Sequence, residues 1–198
     1  MSDRREAAGA QSWILELRSR LGADDGARPE QDGVALLVGL FVEDGRLWVA
    51  LLEHFADEGP EGAHLALPAA ELEAGADPWS GAARAAVDAL GIDPASVLRI
   101  GRLAPHFPDP ALGLDVAFHP CVAAIPPPGL PLGDAADAAG VVRLPLHQLA
   151  APELVERREV RAAGRPHEVD VVDVGGHTIW GPTVAVLDNL LAHLGVGN

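Results

Sequence analysis

The chain has 198 residues, 48% of them hydrophobic, so it is long and apolar enough to fold around one core. Its 29 acidic residues outweigh 14 arginines, and the net charge of −15 argues against nucleic acid, whose phosphates need basic patches. No apolar run approaches the roughly 20 residues of a membrane span, and the polar residues 1–12 are no signal peptide. We therefore expect a cytoplasmic protein with neither nucleic acid nor membrane as its partner.

The first third of the chain predicts one helix followed by a hairpin. The predicted elements are a helix over 12–21, a linker over 22–33, a buried strand over 34–42, a return strand over 47–52 and a loop over 53–66. Asp44-Gly45 has the composition of a tight hairpin turn.

The rest of the chain predicts a loop, a helix, several strands and a last helix. After a loop over 68–77 come a helix over 78–90, strands over 97–103, 114–125 and 141–144, a helical turn over 146–149, a strand over 168–174 and a helix over 182–194 that begins near Gly181. Asp77 suits the N-cap of the first helix, Pro78 its first position and Gly91 its end. Strands outnumber helices and the hairpins are local, so the predicted fold class is α+β.

Residues 84–92 carry the most informative motif. They read Arg-Ala-Ala-Val-Asp-Ala-Leu-Gly-Ile, and this resembles the end of the Nudix box, Arg-Glu-apolar-X-Glu-Glu-X-Gly-apolar. The arginine, the glycine and the apolar positions match. Ala85 and Ala89 stand where the Nudix family has glutamates, and Asp88 stands at the third glutamate position.

The order of the surrounding segments strengthens the resemblance and points to the coenzyme A diphosphatase branch. Gly175 to Thr183, with Ile179-Trp180-Gly181, is similar to the Ile-Trp-Gly-Ala-Thr that begins the last helix of that branch. Further similar segments are Asp44-Gly45, Leu51-Leu52, Leu67-Pro68-Ala69-Ala70, Gly101-Arg102-Leu103, Pro126-Pro127-Pro128 and Leu144-Pro145-Leu146. We therefore divide the chain into an N-terminal helix and linker over 1–32 and a Nudix-like domain over 33–198, for which the resemblance implies an α/β/α sandwich with a mixed sheet.

Nudix hydrolases, as the resemblance implies, use Mg²⁺ or Mn²⁺ to cleave a nucleoside diphosphate linked to another group. Metal ions stabilise the charge that builds on the phosphoryl oxygens, and Mg²⁺ prefers six oxygen ligands. Positions 85, 88 and 89 share a helix face, where three glutamates would converge in the family. The residues that could supply the missing ligands are Glu71, Glu73, Asp77 and Asp88, with Arg84 and Asp137 as catalytic candidates.

Each of these residues also has a purely structural interpretation. Glu71 and Glu73 would be a solvated loop face, Asp77 a helix cap and Asp137 a solvated loop acid. Arg84 and Asp88, four residues apart, could pair on the helix surface.

The substrate segment differs from the branch as well. Its Leu-Leu-Thr-X-Arg is replaced here by residues 51–55, Leu-Leu-Glu-His-Phe, and no arginine occurs between Arg46 and Arg84. Alanine arises by drift in a GC-rich, bacterial-type genome, but drift towards alanine does not explain the change of Thr, Arg and Gly positions to Glu, Phe and Pro. An acidic loop would also repel a phosphate ligand. The sequence therefore favours weak or lost diphosphatase activity.

Three hypotheses follow. The first is a ligand-binding or interaction module of Nudix fold, and the second is an active Mg²⁺-dependent hydrolase of a nucleoside-diphosphate-type molecule. The third is a homodimer built on the Trp13 helix or the last helix. Eight scattered histidines show no zinc-binding spacing, and His177 reads as a turn residue before the last helix.

Overall fold

The computed structural model describes residues 2–21, 26–55, 63–113, 115–128, 138–150, 154–162 and 164–195. The helices are α1 (Ser2–Leu21), α2 (Pro78–Leu90) and α3 (Pro182–Leu194), with 3₁₀ turns at Pro94–Ser96, Pro110–Leu112 and Leu146–Gln148. The strands are β1 (Gly33–Glu43), β2 (Arg46–Phe55), β3 (Ala63–Ala66), β4 (Ala69–Leu72), β5 (Leu98–Arg102), β6 (Ala117–Ala124), β7 (Ala138–Pro145), β8 (Val155–Ala162), β9 (Arg165–Val174) and β10 (His177–Trp180).

The described strands form one mixed sheet. Its order is β5-β6-β1-β2-β3-β10-β9-β8, while β4 also pairs with β1 and β7 with β2. The β1–β6 and β3–β10 pairs are parallel and the remaining pairs are antiparallel. The predicted α+β class is confirmed.

The strand β1 lies inside the sandwich, and its side chains belong to two apolar clusters, one on each face of the sheet. Leu36, Val38 and Leu40 face a cluster that contains Leu17 of α1 and much of α3. Leu37 and Phe41, on the alternate face, pack into a second cluster that includes the inner face of α2. The sheet is therefore covered by α2 on one face and by α1 and α3 on the other, which confirms the predicted sandwich.

Turn residues and apolar runs in the sequence correctly predicted where most of these elements lie. Asp44, with φ of 50°, and Gly45, with φ of 69°, form the tight turn between β1 and β2, as predicted. The strand over 34–42 and the helices over 78–90 and 182–194 are confirmed almost to the residue. The predicted helix over 12–21 is longer and begins at Ser2.

Two predicted loops are partly strands. The segment 53–66 contains the end of β2 and all of β3, and the segment 68–77 contains β4. The strand β8 was not predicted, because its sequence Val-Glu-Arg-Arg-Glu-Val-Arg-Ala is mostly charged. Among the described strands it is the last of the sheet and its partner is β9, so most of its polar side chains remain in water.

The helix α1 shares the core of the sandwich. Leu17 is fully buried in the cluster that contains α3. Arg20 donates from Nη1 to the carbonyl of His193 at 3.0 Å, and Arg18 donates to the carbonyl of Arg99 at 2.5 Å. The division of the chain at residue 32 stays a prediction.

Candidate functional site

The box-like helix α2 begins and ends at the residues that the sequence indicated. Asp77 has extended backbone, and its Oδ1 accepts a hydrogen bond from the backbone N–H of Trp79 at 3.1 Å. Gly91, with φ of 63°, closes the helix through its N–H to the carbonyl of Val87 at 3.0 Å. The other carboxylate oxygen of Asp77 lies 4.0 Å from Nη1 of Arg99. The Asp77 carboxylate therefore serves as a helix cap.

The positions that correspond to the box glutamates do not point the same way. Ala85 is 1% exposed and packs with Leu37 and Phe41, whereas Asp88 is exposed and Ala89 is half-buried. Adding a carboxylate at position 85 would place it inside the apolar cluster. Val87 on the same helix is 41% exposed, so its side chain does not anchor the helix in the core.

Arg84 joins α2 to the neighbouring strand. It is exposed, and its Nη2 donates to the backbone carbonyl of Glu71 on β4. Because this contact uses the carbonyl, the Glu71 carboxylate is not part of it. The arginine thus holds the helix beside the strand that precedes it.

The segment Leu67-Pro68-Ala69-Ala70 before α2, which resembles the Phe-Pro-Gly-Gly of the Nudix family, is extended at both alanines. Ala69 and Ala70 lie in β4, paired with Leu36 and Ala35 of β1, so neither needs a left-handed backbone. Glu71 and Glu73 are both exposed. The carbonyl of Glu73 accepts the N–H of Ala76 at 3.0 Å in the turn towards α2.

The candidate metal ligands do not form a cluster in the described part of the chain. In this part of the chain, no three or more His, Cys, Asp or Glu side chains lie close enough together to hold a metal ion. Asp77 is used as a cap, and the two alanines at 85 and 89 carry no oxygen ligand. Asp137 lies outside the described residues. The assignment of Glu71, Glu73, Asp77 and Asp88 as metal ligands therefore stays a prediction.

Two histidines that showed no motif in the sequence, His54 and His64, meet where β2 pairs with β3. The rings of His54 and His64 stack at 6.0 Å, and His64 meets the Trp180 ring edge-on at 5.9 Å. Burial, and then the nearby His54, lower the pKa of His64. His177 lies in β10 and not in a turn, and its Nδ1 is 3.3 Å from Oε1 of Glu53. Only strand pairing brings these side chains together, so sequence spacing could not reveal them.

A cleft of about 580 Å³ lies where the start of α3 meets β9, β10 and the loop between β5 and β6. Its apolar wall includes Val172, Ile179 and Leu187, all of which are buried. The polar lining includes Asp109, Glu168, Asp188, His106, His167 and an ion pair in which Nε of Arg157 is 3.4 Å from Oδ1 of Asp170. Burial lowers the pKa of His106. Nε2 of His167 is buried, and the described residues offer it no hydrogen-bond partner.

The solved structures that resemble this chain include several Nudix proteins. A MutT/Nudix family protein from Enterococcus faecalis is 14% identical, with a TM-score of 0.49, over 98% of this chain and 80% of that one. An Ap4A hydrolase from C. elegans is 17% identical, with a TM-score of 0.44, over 58% and 80% of the two chains. The Nudix domain of Shewanella oneidensis NrtR, solved with ADP-ribose, is 15% identical, with a TM-score of 0.45, over 63% and 79%.

The coenzyme A diphosphatase branch stays a prediction. With identities of 14–17% and TM-scores below 0.5, these neighbours carry no conclusion about the ligand or activity of this chain. No protein-family model matches the sequence, and no curated protein matches it. In the described part of the chain, no helix is both long and apolar enough to cross a membrane.

Proposed function

We propose that this chain is a cytoplasmic Nudix-fold protein with weak or lost diphosphatase activity that acts as a ligand-binding or interaction module. The burial of Ala85 carries this proposal. In the resemblance this position belongs to a metal-binding glutamate, yet here it is 1% exposed among apolar side chains. A charged carboxylate is excluded from such a site unless it is paired. The inner face of α2 is therefore packed as core, and Asp88 is the one carboxylate left at the three glutamate positions.

The cleft at the start of α3 is the ligand site that we propose. A concave site with apolar walls and a few polar groups is typical of small-molecule binding. Asp109, Glu168 and Asp188 place negative charge around it, while Arg157 already pairs with Asp170. Repulsion by these carboxylates disfavours a polyphosphate. The ligand class that fits is a nucleoside-type molecule with few phosphate groups.

Product release from a panel of diphosphates tests the loss of activity. Coenzyme A, ADP-ribose, NADH and dinucleoside polyphosphates would each be incubated with the full chain and with Mg²⁺ or Mn²⁺. We expect no metal-dependent turnover above background. Turnover that Asp88→Ala abolishes would overturn the proposal. The control is Glu159→Ala, which removes an exposed carboxylate on β8, remote from α2 in the sheet order.

A matched pair of variants on α3 tests the ligand site. Ala185 lines the cleft, whereas Ala192 is exposed on the same helix and does not line it. Binding of nucleosides, nucleoside monophosphates and ADP-ribose would be measured by calorimetry. Ala185→Phe should abolish the binding that the wild type shows, and Ala192→Phe should leave it intact. Equal affinities in the two variants would place the ligand elsewhere.

The active hydrolase is the second candidate, and one observation favours it. Glu71, Glu73 and Asp88 are all exposed, so their carboxylates are accessible to a cation from solvent. In this case Arg84 and Asp137 would be the catalytic candidates, and a divalent ion would supply the stabilisation of phosphoryl charge. The Asp88→Ala comparison described above distinguishes the two candidates.

The homodimer is the third candidate and concerns assembly. Leu15 on α1 is 66% exposed, which leaves an apolar side chain on the outside of that helix. Sedimentation equilibrium of the full chain and of Leu15→Glu measures the association state. A wild-type monomer at all concentrations would exclude the homodimer.

A further inference from the structure

A further cavity, of about 400 Å³, lies where the last turn of α3 meets the start of β2. Its described apolar wall consists of four leucines, Leu47, Leu146, Leu191 and Leu194. Leu146 and Leu191 are buried in the apolar cluster that contains Leu17, and the other two pack against that cluster. A concave site of this size with an apolar wall suits the aliphatic part of a small molecule.

Strand pairing brings the basic residues of this cavity together from distant parts of the chain. Trp48 of β2 lies opposite Pro145 of β7, so the 3₁₀ turn Leu146–Gln148 follows beside the start of β2. Arg46 and His147 therefore line the same cavity, and both are exposed. Among the described lining residues these two are the ionisable ones, and neither is a carboxylate.

The guanidinium of Arg46 is available to a ligand. Its cross-strand partner in the hairpin is Glu43, but Oε1 of Glu43 accepts a hydrogen bond from Nη1 of Arg143 at 2.7 Å. Within the described ranges of the chain, no hydrogen bond or ion pair engages the Arg46 side chain. The nearest carboxylate across the ladder is thus committed to another arginine.

The combination of an apolar wall and a basic rim selects the chemistry of the ligand. A guanidinium presents five N–H donors in a planar fork that matches the two oxygens of a carboxylate, and a neutral imidazole donates from one nitrogen. Because Arg46 is exposed, a carboxylate beside it stays in contact with water and no charge has to be buried. The net charge of −15 repels anions at long range, but salt at physiological concentration screens this beyond about 8 Å.

We propose that this cavity binds an aliphatic carboxylate. The hydrocarbon chain lies against the four leucines, and the carboxylate accepts hydrogen bonds from Arg46 and His147. The site uses no residue of α2, and among the described lining residues it shares only Leu191 with the cleft at α3. It is a second ligand site, so it stands or fails independently of the proposed function.

Calorimetric titration of the full chain with octanoate, hexanoate and 1-octanol tests the site. We expect saturable binding of octanoate, about tenfold tighter than that of hexanoate, because two more methylene groups leave water. Octanol has the same chain length without the charge and should bind more weakly than octanoate. Absence of saturable octanoate binding, or equal affinities for octanoate and octanol, would overturn the proposal.

Substitution of Arg46 locates the carboxylate. Arg46→Gln keeps a neutral donor and should weaken octanoate binding about tenfold or more, the usual result of losing a charge-assisted hydrogen bond. Arg46 is exposed, so its replacement leaves the core intact. The matched control is Arg165→Gln, since Arg165 is an exposed arginine on β9 that does not line this cavity. Equal affinities of the two variants would contradict the site.

A variant of the α3 cleft separates the two ligand sites. Ala185 lines that cleft and does not line the cavity at Arg46. Ala185→Phe should therefore leave the affinity for octanoate unchanged, whatever it does to the binding of nucleosides. Loss of octanoate binding in Ala185→Phe would place octanoate in the α3 cleft and overturn the proposal.

Discussion

The rings of His54 and His64 stack across the β2–β3 ladder with their centroids 6.0 Å apart. Nδ1 of His64 is buried and has no partner among the described residues. Burial, and then the proximity of His54, depress the pKa of His64 below its ordinary value of 6.5. Burial depresses the pKa of His106 and, together with Arg102, that of His119 in the same direction.

These shifts predict that the protein loses stability on mild acidification. Between the depressed pKa of a folded histidine and the unfolded value near 6.5, the unfolded chain binds more protons. The free energy of unfolding should therefore be highest above pH 6.5 and fall as the pH drops below it. Urea unfolding at a series of pH values measures this, and His64→Gln should reduce the slope.

Asp173 provides an internal reference for this pH series. Hydrogen bonds from Arg158 and then from Thr178 lower the pKa of Asp173 below its ordinary value of 3.8. The contribution of Asp173 to the free energy of unfolding is therefore lost only as the pH falls below that value. A loss of stability between pH 6.5 and 5 thus belongs to the histidines. A flat profile in that interval would contradict the prediction.

Removing the helix cap at Asp77 should destabilise the fold modestly. Asp77→Ala deletes the acceptor for the N–H of Trp79, which leaves a donor at the start of α2 unsatisfied. We expect a loss of about 1 kcal/mol in the free energy of unfolding. Asp88→Ala on the same helix removes an exposed carboxylate and should change it by no more than about 0.5 kcal/mol. If urea unfolding gives similar free energies of unfolding for Asp77→Ala and Asp88→Ala, the cap contributes little to stability.

Placing a glutamate at position 85 should lower the free energy of unfolding and should not create a metal site. Ala85→Glu places a carboxylate among Leu37, Phe41 and other apolar side chains. We expect a loss of roughly 3 kcal/mol or more, because an unpaired charge would be buried. Ala89→Glu, at a half-buried position one residue before Leu90, is the control and should be tolerated better. If Ala85→Glu unfolds at the wild-type urea concentration, α2 is not packed as described.

The first helix should contribute to the stability of the whole sandwich. Leu17→Ala removes a fully buried side chain from the cluster shared with α3 and should lower the free energy of unfolding by about 2–5 kcal/mol. Leu15→Ala, two residues earlier and 66% exposed, should change it by about 0.5 kcal/mol or less. Equal and small effects would mean that α1 is dispensable for folding.

Signals between chain neighbours determined the elements that the sequence predicted correctly. Asp77 and Gly91 set the ends of α2, and Asp44-Gly45 set the first hairpin, because caps and tight turns depend on the backbone of a few adjacent residues. The continuous apolar run of β1 likewise identified a strand buried on both faces.

The tertiary structure decided everything that requires residues distant in the chain. The strand β4 exists because Ala69 to Leu72 pair with β1, and β8 exists because it pairs with β9; neither carries a strong strand signal of its own. Packing against the sheet turns Ala85 inward and leaves Asp88 in water, although the two are only three residues apart on one helix. The sequence by itself determined that alanine stands at two of the three positions where the Nudix motif has glutamate. Only the tertiary structure decided that position 85 lies in the core. The reason is that burial depends on the residues that pack against a side chain, and these are distant in the chain.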